Sequence, residues 1–228
     1  MRRSSGSCTF TICGAPRWSD HDRAVADVSL EVKAARIKLL LFDVDGVLTD
    51  GRVLIHADAT ESKYFGIRDG IAMVWAQRAG LRIGLLSART SATTVHRASQ
   101  LGVTLIQQGV SNKADSYRHI RDSEGLSDAD VAYMGDDIVD LAVLRRVGLS
   151  AAPADAVDEV RSSVDWVSSR PGGAGAVREL IEMVLKQQDR WAAVVGDYLD
   201  ESSTPGRHAG GAVVGGKSTQ DGTVDPND

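Results

Sequence analysis

The stretch Ile37-Lys38-Leu39-Leu40-Leu41-Phe42-Asp43-Val44-Asp45-Gly46-Val47-Leu48-Thr49-Asp50-Gly51 decides the fold. An apolar run broken only by Lys38 reads as a strand buried on both faces. It passes directly into an acidic turn that contains two Asp-Gly pairs, each a turn signal. Moving along the chain, the same alternation repeats. Further apolar strands are expected at residues 81–86, 103–106, 131–134, 149–152 and 166–167. Helical patterns lie between them, at residues 91–101, 113–124, 137–147, near 154–162, and from 175 to about 190. Strands alternating with helices imply an α/β domain, a doubly wound Rossmann-like parallel sheet covered on both faces.

One interruption stands between the first two strands. Residues 52–56 and 62–67 are short extended runs joined by Ala57-Asp58-Ala59-Thr60-Glu61, the pattern of a β-hairpin. Asp69 then reads as the N-cap of a helix carrying Ala72, Val74, Trp75 and Ala79 and ending at Gly80. The domain organisation follows: a disordered leader over residues 1–35, a catalytic domain over 36–192, and a disordered low-complexity tail over 193–228.

Composition excludes several classes. The chain has 228 residues, 43% hydrophobic and 25% charged, with a net charge of −5, so no basic face is expected for nucleic acid or an anionic membrane. No apolar run is long enough to span a bilayer. Cys8 and Cys13 make neither a disulfide framework nor a zinc site, and Arg2-Arg3 is not followed by a signal-peptide block. The expectation is a reduced, cytoplasmic enzyme. No glycine-rich loop ends in Gly-Lys-Ser/Thr, and His56, His96 and His119 lack metal or triad spacing.

In a parallel sheet, ligands bind beyond the carboxyl ends of the strands. Asp43 and Asp45 follow the first strand there, and Ser87-Ala88-Arg89 the second. Lys113 opens a helix after the third, and Gly135-Asp136-Asp137 follows the fourth, with Asp140 one turn on. Each is ordinary alone: paired aspartates as turn chemistry, a serine as a cap, a lysine as surface charge, Asp136-Asp137 as favourable acids at a helix start. Together they gather carboxylates that repel unless a cation is bound. Oxygen donors without His or Cys point to Mg²⁺. Ser87 and Lys113 would supply donors to phosphoryl oxygens. Asp43 would attack phosphorus, with Asp45 as the acid and then the base.

The string Asp43-Val44-Asp45-Gly46-Val47-Leu48-Thr49-Asp50-Gly51, with Ser87, Lys113 and Gly135-Asp136-Asp137, resembles the four motifs of the haloacid dehalogenase superfamily over residues 37–190. The resemblance implies Asp43 as nucleophile, Asp45 as acid/base, and Ser87 and Lys113 on the phosphoryl group. It implies Mg²⁺ on the carboxylates of Asp43 and Asp136 and the backbone carbonyl of Asp45, with Asp137 and Asp140 as supporting carboxylates. A narrower similarity, to the 3-deoxy-D-manno-octulosonate 8-phosphate (KDO 8-phosphate) phosphatases, is carried by residues 47–51, by Phe65-Gly66-Ile67-Arg68-Asp69-Gly70, by Leu86-Ser87-Ala88-Arg89 and by Gly172-Gly173-Ala174-Gly175-Ala176-Val177-Arg178-Glu179. That family implies a capless homotetramer acting on a small phosphorylated sugar acid. It also implies that the last, glycine-rich stretch reaches a neighbouring subunit's active site; read from its residues, the stretch is a flexible turn before a helix.

The capless form also follows from spacing, since neither residues 46–86 nor 88–112 could hold an inserted domain with its own core. Ala88 stands where relatives commonly carry Gly, and Tyr64-Phe65-Gly66-Ile67 departs from the commonest form, which bears on substrate more than on chemistry. Arg68 and Arg89 either bind a substrate carboxylate bidentately or form ion pairs with Asp69 or another acid. Two rival functions remain at this point: a phosphatase for a nonulosonate 9-phosphate, and a non-catalytic phosphatase-like oligomerisation module. The presence of Asp43, Asp45 and Lys113 weighs against the second.

Overall fold

Strand β1 (Leu39–Phe42) is fully buried and is the middle of a six-stranded parallel sheet. Its side chains alternate between two cores, as a strand covered on both faces requires. Leu40 and Phe42 join the larger cluster, and Leu39 and Leu41 the smaller one. In this computed structural model, residues 28–200 are described. Strands β4 (Arg82–Leu86) and β5 (Leu105–Gln107) lie on one side of β1, and β6 (Val131–Met134), β7 (Leu149–Ala152) and β8 (Trp166–Val167) on the other. The strand order β5-β4-β1-β6-β7-β8 reverses at β1, so the crevice between β1 and β6 is the topological switch point. This is the α/β fold that the alternating pattern predicts.

The larger core is covered by α1 (Leu30–Arg36), α2 (Ile67–Arg78), α7 (Ala176–Gln187) and α8 (Trp191–Leu199), while α3 (Ala92–Gln100) adds Ala98. The smaller is covered by α4 (Lys113–Ser123), α5 (Leu141–Leu144) and α6 (Asp158–Arg161). A flap of two two-residue strands, β2 (Leu54–Ile55) and β3 (Glu61–Ser62), leaves the sheet after β1. It is shorter than the runs at residues 52–56 and 62–67 suggest. The flap and α2 fill residues 52–78, and α3 and β5 fill 92–107, so neither gap holds a cap domain.

Three expectations need correction. Helix α2 begins at Ile67 behind Gly66, and Asp69 lies inside its first turn rather than at its N-cap. Residues 30–35, placed in the leader, belong to α1. Ala34 is fully buried, and Gln188 Nε2 donates to the carbonyls of Ala34 and Ile37 at 3.1 and 2.8 Å. Residues 193–199, placed in the tail, belong to α8. Val194 is buried there, the Trp75 indole donates to the Tyr198 hydroxyl at 2.9 Å, and Trp191 packs edge-on to Trp75 at 5.7 Å. Both helices are held by tertiary contacts, which local composition does not reveal. Residues 1–27 and 201–228 of those two segments lie outside the described part. Among the described residues no helix is long and apolar enough to cross a membrane.

Replacing Val194 by Asp places a charge where α8 meets the core, at a cost of about 2 kcal/mol or more. The melting temperature is expected to fall by roughly 4–8 °C in calorimetry. An unchanged transition would show that α8 does not dock.

Candidate active site

The carboxyl ends of β1, β4 and β6 meet at one edge because the strands are parallel and in register, with Phe42 beside Leu85 and Met134. Asp43 continues β1, its N–H donating to the Met134 carbonyl at 3.0 Å, and its Oδ1 accepts the Val44 N–H at 2.7 Å. Lys113 is the first residue of α4, whose start is fixed by Asn112 capping the N–H groups of Ala114 and Asp115. From there its buried ammonium reaches Asp43 Oδ2 at 2.8 Å and Asp140 Oδ1 at 2.7 Å. Ser87 follows β4 directly, is buried, and accepts the Arg89 N–H on Oγ at 3.3 Å.

Asp140 braces this edge. It is fully buried and both oxygens are engaged. Oδ1 accepts from Lys113 and, at 2.5 Å, from the Tyr133 hydroxyl, while Oδ2 accepts the N–H groups of Asp136 at 3.1 Å and Asp137 at 3.3 Å. Asp137, expected as a supporting carboxylate, is instead exposed and caps the next turn by accepting the Ile138 N–H. Its short distance in sequence from Asp136 says nothing about direction: successive residues leaving a strand point to opposite sides.

Asp43, Asp136 and Asp140 bring one oxygen each within 4.8 Å of one another. With Asp140 saturated, Asp43 and Asp136 remain to hold an ion, and Asp136 Oδ1 is buried without a hydrogen-bond partner among the described residues. Burial, with Asp43 and Asp140 nearby, pushes the Asp136 carboxyl up to about 7. Burial likewise raises Asp43 to about 6, opposed by Lys113 and seconded by Asp140. Burial alone would lower the Lys113 ammonium, but Asp43 and Asp140 outweigh it and hold the charge on. Two desolvated carboxylates with an orphaned oxygen fit a hard divalent cation such as Mg²⁺. Gly46 makes room for them: it has φ +90°, and a Cβ there would collide with the Asp136 carboxylate.

Asp45 stands at the other side of the nucleophile turn under the flap. Its carboxylate pairs with the buried Lys63 ammonium at 2.7 Å and lies 3.5 Å from Arg89 Nε. Arg89 Nη2 also pairs with Glu61 Oε2 at 2.8 Å, and Lys63 lies 3.7 Å from Glu61. Arg89 therefore has its acid, though not Asp69. Arg68 is exposed and makes no ion pair among the described residues, and Asp69 turns to the start of α7. The glycine-rich bend stays within the chain: Gly173 N–H donates to the Val47 carbonyl at 2.9 Å, and a Cβ on Gly172 would collide with the Gly46 carbonyl. Lys63, Glu61 and Tyr133 are site residues the sequence reading missed. The spacing of Glu61 and Lys63, which puts both on one face of an extended strand, was the available signal.

The haloacid dehalogenase-like hydrolase family matches residues 83–180. The chain is 36% identical to the 3-deoxy-D-manno-octulosonate 8-phosphate phosphatase of Escherichia coli strain K12 over 158 residues, 69% of this chain and 84% of that one. Among solved structures, the 3-deoxy-D-manno-octulosonate 8-phosphate phosphatase of Moraxella catarrhalis, in complex with magnesium, phosphate and KDO, superposes with a TM-score of 0.72. It shares 32% identity and covers 74% of this chain and 97% of that one. The cobalt-bound phosphatase of Haemophilus influenzae gives a TM-score of 0.69 at 36% identity, covering 71% and 94%.

Because Asp43 and Asp136 titrate near 6 and 7 in the folded chain, against an ordinary 3.8, the fold holds protons that the unfolded chain releases. Their favourable contribution is complete below pH 3.8 and is lost as pH rises through 6 to 7. A divalent cation takes the place of those protons. Millimolar Mg²⁺ is therefore expected to raise the melting temperature more at pH 8 than at pH 5. An equal shift at both pH values, or none, would place the cation elsewhere.

Proposed function

Since the chain belongs to the haloacid dehalogenase-like hydrolases, we propose that it hydrolyses 3-deoxy-D-manno-octulosonate 8-phosphate through a phosphorylated Asp43, with Asp43, Asp136 and the Asp45 carbonyl holding Mg²⁺. The observation that carries this reading is the buried constellation of Asp43, Asp136, Asp140 and Lys113, joined to relatives named for that reaction. When bound, the cation neutralises charge on the phosphoryl oxygens. Every other part is supplied by the chain.

An Asp43 oxygen attacks phosphorus in line; the bond to the sugar oxygen breaks, and that oxygen takes a proton from Asp45. Water then attacks the phosphorus of the acyl phosphate and gives its proton to Asp45. The bond to Asp43 breaks and inorganic phosphate leaves. Lys113 and the Ser87 hydroxyl, whose oxygen accepts the Arg89 N–H and so keeps its own proton to donate, bind phosphoryl oxygens. Asp140 and Tyr133 hold Lys113 in place, and Lys63 orients the Asp45 carboxylate from the flap. Arg89 and Arg68, both cationic beside the flap, are candidates for the substrate's carboxylate.

The reading extends to a cytoplasmic homotetramer. Leu54 and Ile55 on the flap, with Tyr64 and Ile67 at its exit, are exposed, Ile67 at 76%. Such an apolar patch beside a capless site suits cover by another copy of the chain. Sedimentation velocity at assay concentration tests it, and a fully active monomer would rule it out.

With released phosphate measured over a panel of sugar phosphates, KDO 8-phosphate is expected to give the highest kcat/KM, and chelation of Mg²⁺ to stop turnover. Asp43→Asn should lose at least roughly 10⁴-fold in kcat on an intact fold. Near-normal turnover by that variant would eliminate the nucleophile, and preference for a nine-carbon acid phosphate would replace the substrate. Lys63→Ala should lower kcat about tenfold or more, with Lys63→Arg restoring part of it. A pure KM effect would assign Lys63 to binding instead.

A further inference from the structure

Asp69 is buried at 1% exposure, lies in the first turn of α2, and does not serve its own helix. Its two oxygens accept the N–H of Gly175 at 3.1 Å and of Arg178 at 2.9 Å, the N-cap and third residue of α7. One carboxylate thus caps a helix more than a hundred residues away, satisfying donors that its own twelve-residue helix cannot. The residues just before α7 are the glycine bend, and the bend lies on the nucleophile turn. Gly173 N–H donates to the Val47 carbonyl, and the backbone of Gly172 sits against Gly46 and Thr49. That turn is closed in its turn by Leu48 and Thr49 N–H donating to the Val44 carbonyl at 2.9 and 3.1 Å.

The flap enters the same knot. A Cβ on Gly66, where the flap ends and α2 begins, would stand 2.5 Å from Asp69 Oδ2 and 2.6 Å from the Gly173 carbonyl. The flap's exit, the start of α7 and the turn between Asp43 and Asp50 therefore pack round a single side chain. Among the described residues no other backbone N–H donates to the Val47 carbonyl.

We propose that Asp69 is a positioning residue for phosphoryl transfer: by clamping the start of α7 it holds the glycine bend on the nucleophile turn and keeps the flap's base in register with it. It touches neither substrate nor ion and works through Gly172–Gly173. The proposal rests on the reading of Asp43 as nucleophile for its effect on rate, but its effect on the turn does not.

The test compares Asp69→Asn and Asp69→Ala with Glu182→Ala in the full chain. Glu182 pairs with the side chains of Arg178 and Lys186, so its loss weakens the same helix without removing an N–H that Asp69 accepts. Steady-state kinetics with Mg²⁺ well below each melting temperature, and amide hydrogen exchange, are the two readouts. Asp69→Asn is expected to lower kcat by about 10- to 100-fold with KM changed less than about threefold, while Glu182→Ala leaves both near wild type. Exchange at Leu48, Thr49 and Gly173, whose N–H groups donate elsewhere than to Asp69, should quicken by about tenfold or more. If Asp69→Ala does not fold, the isosteric Asn variant decides alone. Exchange that quickens only at Gly175 and Arg178, or a rate loss matched by Glu182→Ala at equal loss of stability, would overturn the proposal. A wild-type chain without phosphatase activity would instead sink the phosphatase reading and leave the exchange result to stand.

Discussion

The buried ammonium of Lys113 is the interaction on which the rest of the site depends. A carboxylate as enclosed as Asp140 or Asp43 is costly to charge, and a lysine as enclosed as Lys113 equally so. Between two acids at 2.8 and 2.7 Å, one cation offsets part of two penalties. It does not offset all three. Asp136 makes no ion pair with it and keeps one oxygen without a partner among the described residues, and the deficit of positive charge left at this edge makes a divalent cation the natural complement. Asp140 is what lets the arrangement hold its shape, since it ties Lys113, Tyr133 and the backbone after β6 into one body.

The flap repeats this logic in a wetter setting. Lys63 and Arg89 share Asp45 and Glu61, so the element that shades the site is fastened to the residue read as the acid and base. The contacts at Arg89 are half open to solvent and contribute little each; the Lys63 side chain is almost wholly enclosed and contributes more.

Much of this was legible in the residues. Apolar runs marked every strand of the sheet, and the rule that ligands gather at the carboxyl ends picked out Asp43, Ser87, Lys113 and Asp136 before any contact was known. What failed did so for one reason: it depended on direction or on a distant partner. Asp69 reads as an N-cap, yet it lies in the first turn of α2 and its side chain turns to α7, and nothing local to residues 66–70 encodes that. Asp137 and Asp140 look interchangeable in sequence, but one faces solvent and the other the core. Helix α1 and most of α8 read as leader and tail because what holds them, Gln188 for the one and Trp75 for the other, lies in distant parts of the chain and not in their own composition. Lys63 went unread because burial just past a two-residue strand leaves no pattern in the sequence.

The strand order has a consequence for when the protein becomes competent. β1 sits at the centre but is made before the other five strands of the sheet, and its neighbour β6 is separated from it by some ninety residues. A chain leaving the ribosome therefore exposes its acidic turn long before Asp136 and Lys113 exist to accompany it, and longer still before the bend ahead of α7 arrives to fix it. Contacts so far apart in sequence close late. A half-made chain has no pocket with which to capture an ion or cut a phosphate ester, so hydrolysis begins only once almost the whole domain has been synthesised and packed.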